Sequence, residues 1–127
     1  NAYPQIVLRG GKHPNYDAAS IALCEQALRT ARLPVNIVVD CSHSNSNKKP
    51  ELQGEVLNDI LTQIEQGNRS VRGIMLESHL EWGAQPMPKD PKTLRPGLSV
   101  TDACIDWPTT ETLLRDAYRR HTLTAHA

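Results

Sequence analysis

The chain lacks a charge excess of either sign: its 127 residues carry fourteen Lys and Arg against fourteen Asp and Glu. That balance gives no electrostatic pull toward nucleic acid or an anionic membrane, so small molecules and protein are the expected partners. No apolar run approaches the roughly 20 residues that cross a bilayer, and no basic-then-apolar leader opens the sequence. The three cysteines, Cys24, Cys41 and Cys104, are odd in number and form no Cys-x-x-Cys pair, which argues against a disulfide framework. A soluble protein in a reducing cytoplasm is the expectation. No internal repeat and no low-complexity linker divides the chain, so residues 1–127 are read as a single segment, with a length that suits one domain and an ordinary core. Asn1-Ala2 reads as the remainder of a tag-cleavage scar.

What the chain has is alternation of short apolar runs and amphipathic stretches. Gln5-Ile6-Val7-Leu8 is too short for a helix and stops at Arg9-Gly10-Gly11, the pattern of a strand entering a loop. From Tyr16 to Arg32, Ile21, Cys24, Leu28 and Ala31 recur at helical spacing, with Asn15 available as N-cap and Pro34 beyond the end. Asn36 to Asp40 is a second strand, followed by a Ser- and Asn-rich loop from Cys41 to Pro50. Leu52, Val56, Ile60, Leu61 and Ile64 stripe a second helix that Gly67 can close in the left-handed conformation. Val71 to Leu76 is a third strand, and after a long connection from Ser78 to Cys104 a last helix opens at Asp106 and Pro108 and runs through Leu113, Leu114 and Tyr118. Strand-helix-strand order predicts parallel pairing, and near-continuous apolar strands predict burial on both faces of the sheet.

The chemistry-bearing residues follow the strands' C-terminal ends: Arg9 after the first, Asp40 and His43 after the second, Glu77 after the third, and Asp102 in the connection beyond. Parallel α/β sheets and α/β barrels build their sites at that face. A His, a Glu and an Asp from different loops make a mixed nitrogen and oxygen donor set suited to Mn²⁺, Fe²⁺, Co²⁺ or Zn²⁺. By spacing alone, Glu77 and Asp102 serve equally well as capping or solvated carboxylates. Arg9 before two glycines suits a phosphate clamp, because guanidinium bonds are bidentate and glycine lets backbone N–H groups approach an oxyanion. Cys41, two residues from His43, could pair with it on zinc, and Asp40 could hold the imidazole from behind or simply cap the loop. Cys24 and Cys104 read as small buried hydrophobes. His13, His79, His121 and His126 show no ligand-like spacing, and a surface or packing role is the simpler reading of His79.

Leu8-Arg9-Gly10-Gly11-Lys12 with Pro14-Asn15-Tyr16, then Asp40 to Lys48, Gly67-Asn68-Arg69-Ser70, Glu77-Ser78-His79-Leu80 and Ser99 to Ile105 occur in an order that resembles the C-terminal third of type I 3-deoxy-D-arabino-heptulosonate 7-phosphate synthase. The resemblance spans nearly the whole chain. It implies that the fold is the last three strands and helices of an eight-stranded (β/α)8 TIM barrel. It also implies a transferase of the aldolase kind at the first step of the shikimate pathway, condensing phosphoenolpyruvate with erythrose 4-phosphate. Carried over by motif, His43, Glu77 and Asp102 match metal ligands, and Arg9 matches an arginine on the phosphate of phosphoenolpyruvate.

In the family the fourth ligand is a cysteine near the first barrel strand, outside this sequence, so Cys41 is not expected to bind metal. The Lys-Pro-Arg-Thr segment for the aldose phosphate and most of the aromatic amino-acid regulatory site also lie elsewhere. The implied partners are therefore the two substrates, the N-terminal part of the same enzyme, and further copies of this chain covering open strand edges in a homo-oligomer. Alone, the segment is expected to be inactive and to bind metal weakly. The alternative is a non-catalytic half-barrel that binds a metal, a phosphorylated metabolite or the complete enzyme.

Overall fold

Parallel pairing needs a crossover between strands, and the two stretches of helical periodicity supply it. In a computed structural model, which describes residues 3–125, β1 (Ile6–Leu8), β2 (Ile37–Asp40) and β3 (Val71–Met75) form one parallel sheet in the order β1-β2-β3. Asn1-Ala2 and His126 lie outside the described residues. Helix α1 (Ala18–Thr30) joins β1 to β2, and α2 (Gln53–Glu65) joins β2 to β3. The register sets Leu8 beside Val39 and Asp40 beside Met75, so the C-terminal ends of all three strands lie nearly level. A shift between Ile37 and Val38 is taken up at the start of β3 and leaves those ends in step.

The core forms where the helices meet the central strand. Ile37 and Val39 of β2 are fully buried against Ile21 and Leu28 of α1, Val56, Leu57 and Ile60 of α2, Val71 and Cys41. Burying a side chain of this size contributes about 1.5–3 kcal/mol, so β2 and α2 dominate the stability of the unit. The expected burial on both faces holds only for β2. Ile6 and Val7 of β1 and Met75 of β3 stay exposed, because each outer strand has a neighbour on one side alone.

Helix ends refine the sequence reading. The cap of α1 is Asp17, whose carboxylate accepts from the Ser20 N–H and hydroxyl, while Asn15 is committed to other contacts. Gly67, at φ 104°, closes α2 as expected: its N–H donates to Ile64 O and that of Asn68 to Gln63 O, which satisfies two orphan carbonyls. The last helix, α3 (Trp107–Ala125), is capped by Asp106 accepting from the Thr109 N–H. Only part of its apolar stripe faces inward: Leu113 packs on the core, whereas Leu114 and Tyr118 are exposed. Among the described residues no helix is long and apolar enough to cross a membrane.

Candidate metal centre

The Ser- and Asn-rich segment after β2 is not an open loop. It winds into two 3-10 turns, His43–Ser46 and Pro50–Leu52, with His43, Asn47 and Lys48 all at positive φ. Three non-glycine residues in that region within six positions put the backbone in a conformation costing roughly 1 kcal/mol or more per residue, tolerated where surrounding contacts fix it. The contacts are visible around Asp40, which is almost fully buried at the end of β2. Its Oδ1 accepts from the Ser42 N–H at 2.8 Å and the Ser42 hydroxyl at 2.5 Å, and its Oδ2 lies 2.7 Å from His43 Nδ1. The carboxylate thereby holds the imidazole from behind and turns Nε2 outward, the arrangement ligating histidines commonly show.

Glu77 follows β3 and is fixed through its backbone. Gln53, buried at the start of α2, accepts from the Glu77 N–H at 2.8 Å and donates to the Glu77 carbonyl at 3.1 Å. The connection beyond doubles back: the Ile105 N–H donates to Glu77 O, that of His79 to Ile105 O, and Cys104 pairs with Gly83. This return brings Asp102 beside Glu77, though 25 positions separate them in the chain.

His43, Glu77 and Asp102 each offer one ligand atom, and these atoms lie within 4.8 Å of one another. His43 Nε2 stands 3.3 Å from Glu77 Oε1 and 3.8 Å from Asp102 Oδ2, and Lys48 Nζ reaches Asp102 Oδ1 at 3.7 Å. Burial pushes the Glu77 carboxyl above its ordinary value; His43 opposes this, Asp102 and Asp40 reinforce it, and Arg9 opposes it. Arg9 is thus within electrostatic reach of the cluster from the end of β1, with its side chain in solvent. The imidazole of His43 with the carboxylates of Glu77 and Asp102 makes a cluster of nitrogen and oxygen donors that fits a divalent cation of the first transition row.

His43, Glu77 and Asp102 therefore meet at one end of the sheet, and Arg9 follows β1 at the same end. Cys41 does not join them: it is fully buried in the core, and burial with the Asp40 charge pushes its thiol up to about 12. His79 is exposed, its Nδ1 accepting from the Leu80 N–H. Two residues that sequence reasoning passed over, Gln53 and Asn45, prove to be buried brackets of the site. Gln53 is a polar side chain in an otherwise apolar helix stripe, and Asn45 is one more polar residue of the turn after β2.

A family model described as the DAHP synthetase I family matches residues 1–115. Among curated proteins, the chain is 43% identical over 119 residues to the Tyr-sensitive phospho-2-dehydro-3-deoxyheptonate aldolase of Salmonella typhimurium, covering 94% of this chain and 33% of that protein. It is 46% identical over 114 residues to a Tyr-sensitive aldolase of the same name from Enterobacter agglomerans, covering 90% of this chain and 54% of that one. Among solved structures, the phospho-2-dehydro-3-deoxyheptonate aldolase of Francisella tularensis superposes with a TM-score of 0.88 at 36% identity, covering 94% of this chain and 35% of that one. The chain spans about a third of the Salmonella and Francisella proteins and about half of the Enterobacter one.

Proposed function

This chain belongs to the DAHP synthetase I family, and on that premise we propose that it supplies the metal-ligand half of a site that condenses phosphoenolpyruvate with erythrose 4-phosphate. The product would be 3-deoxy-D-arabino-heptulosonate 7-phosphate with release of phosphate, at the entry to aromatic amino-acid biosynthesis. The carrying observation is the convergence of His43, Glu77 and Asp102 within 4.8 Å at the C-terminal ends of parallel strands. The three strands and their helices would be the last units of a TIM barrel whose remaining strands, and whose fourth metal ligand, come from an N-terminal part of the polypeptide.

Within that reading the residues divide the work. His43 Nε2, Glu77 and Asp102 would hold a divalent ion, which when bound supplies Lewis-acid polarisation of the aldehyde oxygen. With Asp40 Oδ2 at 2.7 Å and Ser42 Oγ at 2.9 Å, the His43 Nδ1 side is taken up by partners, which would leave the Nε2 lone pair for the ion. Arg9 would grip the phosphate of phosphoenolpyruvate bidentately and so orient the enol carbon for attack. Carboxylate groups near His43 and Glu77 would manage protons as phosphate departs. Alone, the chain is expected to be inactive and to self-associate through the exposed edges at Ile6, Val7 and Met75.

Phosphoenolpyruvate consumption with erythrose 4-phosphate and Mn²⁺, assayed on this chain alone and after refolding with a separately expressed N-terminal part, tests the proposal. Activity only in the mixture supports it. Activity of the chain alone contradicts the shared-site account, and silence in both favours a binding module without catalysis.

A further inference from the structure

Arg9 is clamped on both flanks by residues outside the ligand set. The carbonyl of Leu8, on one side of it, accepts from Asn45 Nδ2 at 3.1 Å, and the N–H of Gly10, on the other, donates to Asn15 Oδ1 at 2.7 Å. The two asparagines are themselves joined, the Asn15 N–H donating to Asn45 Oδ1 at 2.8 Å. Asn45 spends its second N–H on the carbonyl of Asp40 at 2.8 Å, the residue whose carboxylate fixes His43. Its side chain is 3% exposed and all its polar atoms are engaged, with the two carbonyls facing the nitrogen and the N–H facing the oxygen.

Close packing makes the same connection. A Cβ on Gly10 would stand 2.7 Å from Ser44 Cβ and 3.1 Å from both Asn45 N and Asn45 Oδ1, at a φ of 75° that side-chain-bearing residues rarely adopt. The loop after β1 and the turn after β2 therefore touch through backbone and a single buried amide.

We infer that Asn45 is a positioning residue that, through Asn15 and Gly10, locks the Arg9 loop in one register against the His43–Glu77–Asp102 cluster. An anion held by Arg9 is thereby kept at a fixed separation from whatever the cluster holds. The inference rests on the reading of that cluster as a metal centre. Buried amides whose every bond is made to backbone define geometry well, because any shift of one loop leaves a donor or acceptor unpaired.

The test uses the ¹⁵N-labelled chain and Mn²⁺ alone. In the wild type, Gly10 amide exchange is expected to be slow, and substoichiometric Mn²⁺ should broaden the Arg9 Nε–Hε signal. In Asn45→Ala, and separately in Asn15→Ala, which removes only the half-exposed partner, Gly10 exchange should accelerate by at least about tenfold. The Arg9 broadening should fall in both, and in Asn15→Ala, whose side chain bonds only to the Gly10 N–H, Mn²⁺ affinity should stay within about threefold. Retained Gly10 protection and Arg9 broadening in both variants would overturn the inference. So would parallel loss of Mn²⁺ binding and of the folded spectrum in both, which would mark a purely structural role. A wild-type chain that takes up no Mn²⁺ sinks the functional reading alone, because exchange at Gly10 still decides whether the loop is locked.

Discussion

Both ends of the sheet carry polar side chains, and they use them differently. At the N-terminal end of the strands, Glu25, Arg29, Val35, Gly67, Asn68, Arg69, Ser70 and Arg72 line a cleft of about 430 Å³. Its polar groups largely serve the fold. Asn68 Oδ1 accepts from the N–H groups of Ser70 and Val71 and the Ser70 hydroxyl, Glu25 binds Asn68 and Arg29, and Arg29 sits in the last turn of α1, where a cation complements the helix dipole. At the C-terminal end, hydrogen bonds instead fix the parts behind the functional groups, such as Asp40 behind His43 and Gln53 behind Glu77, and leave ligand atoms facing one another. Polar groups that pair among themselves stabilise; polar groups held apart from behind and aimed at a common point are the signature of a site.

Substitutions at the two ends should separate metal affinity from stability. The largest effect is expected for His43→Ala, which removes a ligand atom: Mn²⁺ affinity measured calorimetrically should fall by more than about 100-fold, beyond what outer partners of a metal site cost. Asp40→Asn should follow with a loss of roughly 10–100-fold, because an amide donating to Nδ1 puts the ring proton on Nε2. At the other end, Asn68→Ala unpairs three donors and should cost about 1–3 kcal/mol in urea unfolding with Mn²⁺ affinity unchanged; a fall in affinity there would erase the distinction between the two ends.

The smallest effect is on pH dependence. Because burial raises the Glu77 pKa in the folded chain, its ionisation opposes folding: the contribution of Glu77 to the stability of the metal-free chain is fully present below the ordinary carboxylate range and is lost as pH rises through the raised value. Thermal unfolding from about pH 4 to about pH 7, compared between the wild type and Glu77→Gln, should show the wild type losing stability relative to the variant as pH rises. Saturating Mn²⁺ should reverse the sign of this trend, since protons then compete with the cation.

Much of this was legible in the sequence where local pattern decides. The strands announce themselves as apolar runs cut off by Arg9-Gly10-Gly11 and by the polar residues from Asp40 on, and Gly67 marks the end of α2 because its left-handed φ favours glycine. The resemblance identified His43, Glu77 and Asp102 by motif, but no periodicity places Asp102 beside Glu77; that depends on the return of residues 78–105 through a few isolated bridges. Asn45 and Gln53 were illegible for a related reason. Their partners Asn15 and Glu77 lie 30 and 24 positions away, and an Asn in a polar turn or a Gln near a helix start looks like any solvated residue until the loops are folded against it. The exposed Leu114 and Tyr118 show the converse: helical spacing predicts a stripe but not how much of it finds a neighbour.

The most direct test of the central claim is the position of a bound ion. An anomalous difference map from crystals of this chain soaked in Mn²⁺ should show a peak bounded by His43 Nε2, Glu77 and Asp102 and absent in His43→Ala crystals. A peak only elsewhere, such as beside Glu25 in the cleft at the other end, or no peak at saturating Mn²⁺, would contradict the assignment of this cluster as a metal centre.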